Sequence, residues 1–280
     1  MYKFLTLLAF SLPFGLSVRV HGQSLRTPSP SPTETIRQEF GLSNIELSYS
    51  RPGKKGRNIF GDLVPFGKVW RTGANQATTI SFGDEVIIGG VRIPAGRYGL
   101  LTIPDADEWT FIITRQLDVN NPALYKIDQD IVRVKVRAQE FPYPIESLTI
   151  LFSNITAASC DLALVWDRTL VALPIKTDID ARIMAQIDKA IGKDSFPYFN
   201  AAFYYLENNK DLNKAEEWFT RAGEQNPSGF FIFYQKARCE AKLGRKKEAI
   251  ATAQKSIELA KLAKNDDYVA LNNKLIASLQ

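Results

Sequence analysis

The sequence predicts two parts: an all-β domain of sandwich or jelly-roll type, followed by an all-α region of helical repeats. Three observations predict this. Between Leu42 and Ile175, short alternating apolar runs are separated by turn residues and show no helical period. After Lys176 the period changes, with Ile179, Ile183, Ile187 and Ile191 at four-residue spacing. Further on, Ala215 and Ala249 occupy equivalent places 34 residues apart. A chain of 280 residues is long enough for two ordinary cores. Its 45% apolar and 23% charged residues are normal for a folded globular protein.

Residues 1–22 read as a secretory signal peptide. Lys3 supplies a positive start and Phe4–Leu16 an apolar run, interrupted by Pro13; Val20-His21-Gly22 offers small or compact residues before a cleavage point at Gln23. The run is too short for a membrane span, which needs about 20 apolar residues. No cysteine follows it, which argues against a lipoprotein anchor. The expected location is therefore secreted or periplasmic, with no stable membrane insertion after cleavage. Losing Lys3 and Arg19 would lower the formal charge from +5 to +3, too mild to argue for nucleic acid. Cleavage would also remove His21, the single histidine. That excludes Ser-His-Asp and Cys-His catalysis and His-based zinc sites from the mature chain. Residues 23–42, with Pro28, Pro30 and Pro32 among Ser and Thr, read as a tether.

The β-domain is expected over 43–176. Ile45, Leu47 and Tyr49 alternate with polar residues, and 77–82 is a short β-rich run. Val86–Ile93 has the signature of a hairpin around Gly89-Gly90. Strands are expected at 96–103 and 109–114, flanking the turn 104–108. Others are expected at 131–136, 146–152, 161–166 and 170–174. Cys160 and Cys239 fall in different parts and read as buried free thiols, although an oxidising compartment would permit a disulfide.

The helical part is expected over 177–280. Phe199, Leu206, Phe219, Ala222 and Pro227 surround Ala215, whereas Phe233, Ala237, Gly244 and Ala253 surround Ala249. These positions resemble two tetratricopeptide repeats with a leading helix and a closing helix at 266–279. Phe203 departs from the pattern, being bulky where a small residue is usual. Repeats of this kind present a concave groove, so a protein partner is expected here. The aromatic cluster Phe196, Tyr198, Phe199, Phe203, Tyr204 and Tyr205 reads either as a binding stripe or as interhelix core.

One stretch, Gly61–Thr79, gathers glycines, a proline and recognition side chains into a structured loop. Lys68, Trp70, Arg71 and Asn75 are its candidate ligand-binding residues, joined by Arg57 from the basic loop 51–57. An exposed Trp face stacks on rings, and an Arg fork binds carboxylates or phosphates. The opposing reading puts Trp70 in the core and Arg71 against a carboxylate such as Asp62.

At this stretch the chain resembles the domain of unknown function 2911. The resemblance rests on Arg51-Pro, Lys54, Gly56-Arg57, Ile59-Phe-Gly61, Leu63-Val-Pro65, Gly67-Lys-Val-Trp-Arg-Thr-Gly-Ala-Asn75 and Ala77-Thr78. It continues through Ile88-Gly-Gly90, Pro94-Ala-Gly96, Tyr98, Leu100, Thr102-Ile-Pro104 and Trp109-Thr110. It covers about 45–175 and implies a secreted Gram-negative protein, often with tetratricopeptide-like helices behind the domain. It implies location and architecture, not an activity. Gln76 stands where Glu is common in that family, and Asn121-Pro-Ala-Leu124 replaces a Trp-Gly pair. Were that Glu a catalytic acid, this chain would lack it.

Two functions compete on these grounds. The first is a non-enzymatic binding or scaffolding protein, its β-domain taking an anionic small molecule or glycan and needing no cofactor or metal. The alternative is a glycan hydrolase using two carboxylates, drawn from Glu46, Asp62, Asp84, Glu85, Glu108, Asp128, Asp130 and Glu146. Arg133, Lys135 and Arg137 share a strand face and could grip polyanions or guard a sheet edge. Asp105–Glu108 reads as a hairpin turn rather than a calcium loop.

Overall fold

A computed structural model describes residues 27–193 and 195–280. The expected signal segment, 1–22, and the first part of the expected tether lie outside the described residues. The chain divides into two compact units between Asp178 and Ile179.

The first unit is two antiparallel sheets. Strands β1 (Thr33–Phe40), β2 (Ser43–Ser50), β3 (Thr79–Phe82), β6 (Gly96–Ile103), β7 (Glu108–Thr114) and β8 (Asp130–Arg137) form the larger, in that order. Strands β5 (Val91–Ile93), β4 (Val86–Ile88), β10 (Ser159–Lys176) and β9 (Gln139–Ser153) form the smaller. One core joins their inner faces. Ile45, Leu47 and Tyr49 of β2 alternate into it, as do Leu148 and Ile150 of β9 and Leu162, Leu164 and Trp166 of β10. The Tyr49 hydroxyl binds across to β9, accepting from the Ile150 amide at 2.9 Å.

Several expected strands change length, for physical reasons. β1 occupies Thr33–Phe40, inside the span expected to be tether. The last proline is Pro32, and beyond it Glu34, Ile36, Gln38 and Phe40 present one face to the sheet. An edge strand tolerates this polar pattern because only one face is covered. The two strands expected at 161–166 and 170–174 are one, β10, whose register with β9 shifts on both sides of Asp167. Asp167 is left-handed there (φ 51°), so a bulge bends the strand without ending it. Pro142 and Pro144 lie in β9, at the edge of the smaller sheet, where a missing amide is tolerated. The β4–β5 hairpin turns on Gly89 and Gly90 (φ 58° and 82°), as the sequence predicts.

The second face of the larger sheet carries a smaller cluster. Leu101, Ile112 and Val119 are buried there, with Val69, Ile103 and Tyr125 packed against them. The segment after β7 supplies Val119 and Tyr125, and so lies over that face.

Among its described residues the second unit holds six helices: α1 (Asp180–Ala190), α2 (Tyr198–Glu207), α3 (Leu212–Gln225), α4 (Phe230–Lys242), α5 (Lys246–Leu262) and α6 (Asp266–Leu279). None is long and apolar enough to cross a membrane. Asp211 caps α3 by accepting from the amides of Asn213 and Lys214, and Asn265 caps α6 through the Tyr268 amide. Small buried residues, Ala201, Ala202, Ala215, Ala222, Ala249 and Ala253, leave room for close helix contacts. Phe196, Tyr205, Trp218 and Phe219 fill the core, so much of the aromatic cluster is interhelix packing. Ser256 on α5 donates to the Phe230 carbonyl (2.7 Å) and accepts from Asn272 on α6 (2.9 Å), fixing three helices together.

Both cysteines are free and buried, and burial pushes each thiol up to about 11. Glu240 on α4 is 3% exposed, with Lys236 at 3.6 Å and its Oε2 unbonded. Burial raises its carboxyl above the usual range, against the opposing pull of Thr252 and Lys236. A carboxyl raised in the folded state binds protons more tightly folded than unfolded, so stability falls as pH rises through that window. Glu240→Gln is therefore expected to raise urea resistance at pH 7, with the gain shrinking as pH falls toward the ordinary Glu value. Denaturation curves at pH 7 and pH 4.5 check this.

Candidate functional site

The loop between β2 and β3 is held on both faces of the larger sheet. Trp70 pairs with Thr102 of β6 through two backbone bonds, Trp70 N to Thr102 O at 2.7 Å and Thr102 N to Trp70 O at 2.9 Å. Successive residues of an extended chain point opposite ways. Trp70 therefore enters the main core while Val69 joins the cluster on the other face. Two residues on, Thr72 is fully buried, its hydroxyl 3.1 Å from that of Thr102. Thr72 is left-handed (φ 57°), rare for a β-branched residue and costing roughly 1–3 kcal/mol. Thr78 helps hold it there by donating to the Thr72 carbonyl at 2.9 Å. Gly73 follows because a Cβ there would lie 2.9 Å from the Ser50 carbonyl oxygen.

Trp70 is 8% exposed. Its ring stacks on Trp166 of β10, with centroids 5.9 Å apart and planes 18° apart, and its Nε1 donates to the Gly73 carbonyl at 3.0 Å. Phe60 meets Trp70, Trp109 and Trp166 edge-on. Trp70 is thus a core residue, as the opposing reading held, yet it also forms part of a cavity wall.

That cavity has a volume of about 500 Å³, within the usual range for a small-molecule site. Arg57, Lys68, Trp70 and Arg71 all line it, so the fold gathers four of the five candidate residues. Asn75 does not. It is exposed, and its Nδ2 donates to the Ser31 carbonyl at 3.1 Å, tying the start of the domain to the loop. Ser31 is itself a wall residue. Apolar walls come from Leu63, Val64 and Val69, and from Pro52, Pro65 and Pro122. Trp166, Pro52, Pro122 and Ser31 were not legible as site residues. Ser31, Pro122 and Trp166 lie outside the loop between β2 and β3 and only the tertiary fold brings them to it, whereas Pro52 sits in that loop, in the basic stretch 51–57, but carries no recognition chemistry of its own.

The three cations differ. Arg57 is tied to its own loop, with Nε to the Lys54 carbonyl at 3.0 Å and Nη2 to the Gly53 carbonyl at 2.6 Å. Lys68 is exposed. Arg71 is half-buried and makes no ion pair among the described residues, contrary to the expected partnership with a carboxylate such as Asp62. Its Nη1 donates to the Asn120 carbonyl at 3.2 Å, and its Nε is buried without a partner. Among the described residues, no carboxylate lines the cavity. Glu85 pairs with Arg92, Glu108 with Lys135 and Asp130 with Arg133, while Glu146 accepts from the Lys55 amide. The Tyr125 hydroxyl donates to Asp130 and accepts from Arg133; burial, then Asp130, pushes it up to about 12. On β8, an edge strand, Arg133 and Lys135 are engaged in these pairs.

These features define a class: an antiparallel β-domain with a cation-lined cavity, followed by a helical unit. Residues 31–175, more than half the chain, match the family model described as "Protein of unknown function (DUF2911)", and the chain belongs to that family. No curated protein and no solved structure matches it.

Trp70 and Asn75 separate core from rim. Trp70→Ala is expected to destabilise the β-domain by about 3–5 kcal/mol, as loss of a large buried aromatic does. Asn75→Ala should cost less, about 1–2 kcal/mol, from one exposed hydrogen bond and from placing Ala at a left-handed position (φ 55°) that Asn tolerates better. Urea denaturation followed by tryptophan fluorescence measures both.

Proposed function

We propose that this chain is a secreted or periplasmic binding protein. Its β-domain holds a small anionic ligand in the cavity beside Trp70, and its helical unit, read as two tetratricopeptide repeats, engages a protein partner. The observation that carries the ligand half is the charge of the cavity wall: Arg57, Lys68 and Arg71, with no carboxylate. Near a protein surface, at an effective dielectric of about 20, an anion 4 Å from one such charge gains ~4 kcal/mol, against ~1 kcal/mol in water. The same wall gives the hydrolase reading no acid to work with, since that chemistry needs two carboxyl groups flanking the bond.

A thermal-shift screen of residues 23–280 tests the ligand half. Organic acids, glycans, nucleotides and divalent metals are the panel. A ligand at 100 times its Kd stabilises by about 2.7 kcal/mol, so organic acids should raise the melting temperature and Arg71→Ala should cancel the rise. Response to glycans alone would sink the anion reading.

The partner half is supported by a run of ring contacts across α2, α4 and α6. Phe203 stacks on Phe199, which meets Phe231; Phe230 bridges Phe231 to Tyr268. Phe203 remains 37% exposed. A partner recovered from periplasmic extract on immobilised 23–280 should be lost with Phe203→Ala. Equal recovery on that variant would remove the aromatic run from the interface.

A further inference from the structure

We propose that the cavity ligand is a monocarboxylate on a flat, apolar, aromatic body, with its head gripped side-on by Arg71. This rests on the reading that the cavity is a ligand site, and it adds the chemical class.

The head follows from the geometry of one guanidinium. The Nη1 of Arg71 is engaged by the Asn120 carbonyl at 3.2 Å, which fixes the orientation of the group. Nε carries a buried hydrogen with no acceptor. In a guanidinium, the edge away from Nη1 presents the Nε and Nη2 hydrogens in parallel, a fork that matches the two oxygens of a carboxylate. Buried donors are rarely left unbonded, because an unmet buried donor is costly. A carboxylate in the cavity would satisfy Nε and supply the missing countercharge together.

The other candidate heads fit less well. A phosphate dianion calls for several converging donors. The guanidinium of Arg57, however, already has its Nε and Nη2 engaged by the Lys54 and Gly53 carbonyls, and Lys68 is exposed. One free fork suits one negative charge. A sugar needs side-chain acceptors as well as donors, and a free aromatic face to lie on. Among the described residues the wall offers no carboxylate or carboxamide, and one face of Trp70 is partly taken by the offset stack on Trp166, centroids 5.9 Å apart.

The body follows from the rest of the wall. Val64, Val69, Pro52, Pro65 and Pro122 offer apolar, conformationally stiff surface. Stiff walls favour a rigid ligand, since little freedom is lost on either side. A volume of about 500 Å³ admits one or two fused rings with their carboxylate.

The experiment is isothermal titration of residues 23–280 with benzoate, 2-naphthoate and indole-3-acetate. Their neutral primary amides and inorganic phosphate are titrated in parallel. At least one acid should bind at least about tenfold more tightly than its amide, the scale of a charge-assisted pair. Phosphate should neither bind comparably nor displace it. Arg71→Lys keeps the charge but loses the fork, and should weaken the acid about tenfold or more while leaving amide binding unchanged. Ala74→Phe, which fills the cavity from a wall position, should abolish binding of acid and amide alike. Melting curves confirm that each variant is folded; if Arg71→Lys is not, the acid-to-amide ratio on the native chain decides alone. Equal affinity for acid and amide, with both lost on Ala74→Phe, would overturn the carboxylate assignment and leave the cavity as a site. Binding of phosphate equal to that of the acids would also overturn it. No binding of any acid to the folded chain would overturn it too. Acid binding that survives Ala74→Phe would overturn both this assignment and the cavity as its location.

Discussion

The seating of Trp70 is the constraint on which the β-domain's candidate site depends. Two backbone bonds to Thr102 hold this residue as a single bridge on β6, although it lies in an irregular loop. Its ring is then committed to the core, stacked on Trp166 from the other sheet. The neighbouring residues follow from that fixed point. Val69 must face the opposite way, Thr72 is forced left-handed and buried, and Arg71 reaches the Asn120 carbonyl. The cavity wall is therefore held by core packing, in contrast to the freedom of an ordinary loop. Rigidity of this kind lowers the entropy lost on binding.

The same arrangement explains why Arg71 stands out among the cations. Several charged side chains of the β-domain pair across a strand or a turn: Arg92 with Glu85, Lys135 with Glu108, Lys54 with Asp167 at 2.5 Å. Arg71 meets only a carbonyl, and part of its guanidinium is shut away from water. An unneutralised cation with a buried unbonded donor is a cost in the empty protein. A bound anion would turn that cost into affinity. The strained Thr72 beside it fits the tendency of backbone strain to collect at functional positions.

Much was legible in the sequence because it depends on local pattern. Alternation marked the inner faces of β2 and β8, and Gly89-Gly90 marked a hairpin. Four-residue apolar spacing marked α1, and the motif run from Arg51 to Thr110 pointed to the family that the match over 31–175 shows. What was misjudged also has a local cause. The prolines before Thr33 read as tether, yet the polar alternation behind them suits an edge strand. A single bulge at Asp167 was read as a break between two strands, because a polar pair looks like a turn when pairing is unknown.

The sequence by itself determined the order of the two parts, the class of each, and the loop in which recognition side chains are concentrated. Those follow from periodicity and turn chemistry, which act between near neighbours. Only the tertiary structure decided that Trp70 is both core and cavity wall, that Asn75 ties down Ser31, and that Arg71 lacks a carboxylate partner. It alone brought Pro52, Pro122 and Trp166 to one cavity and left the acids elsewhere. The reason is physical: which residues meet across two sheets depends on strand order and register, and pairings between distant segments leave no trace in the spacing of any one of them.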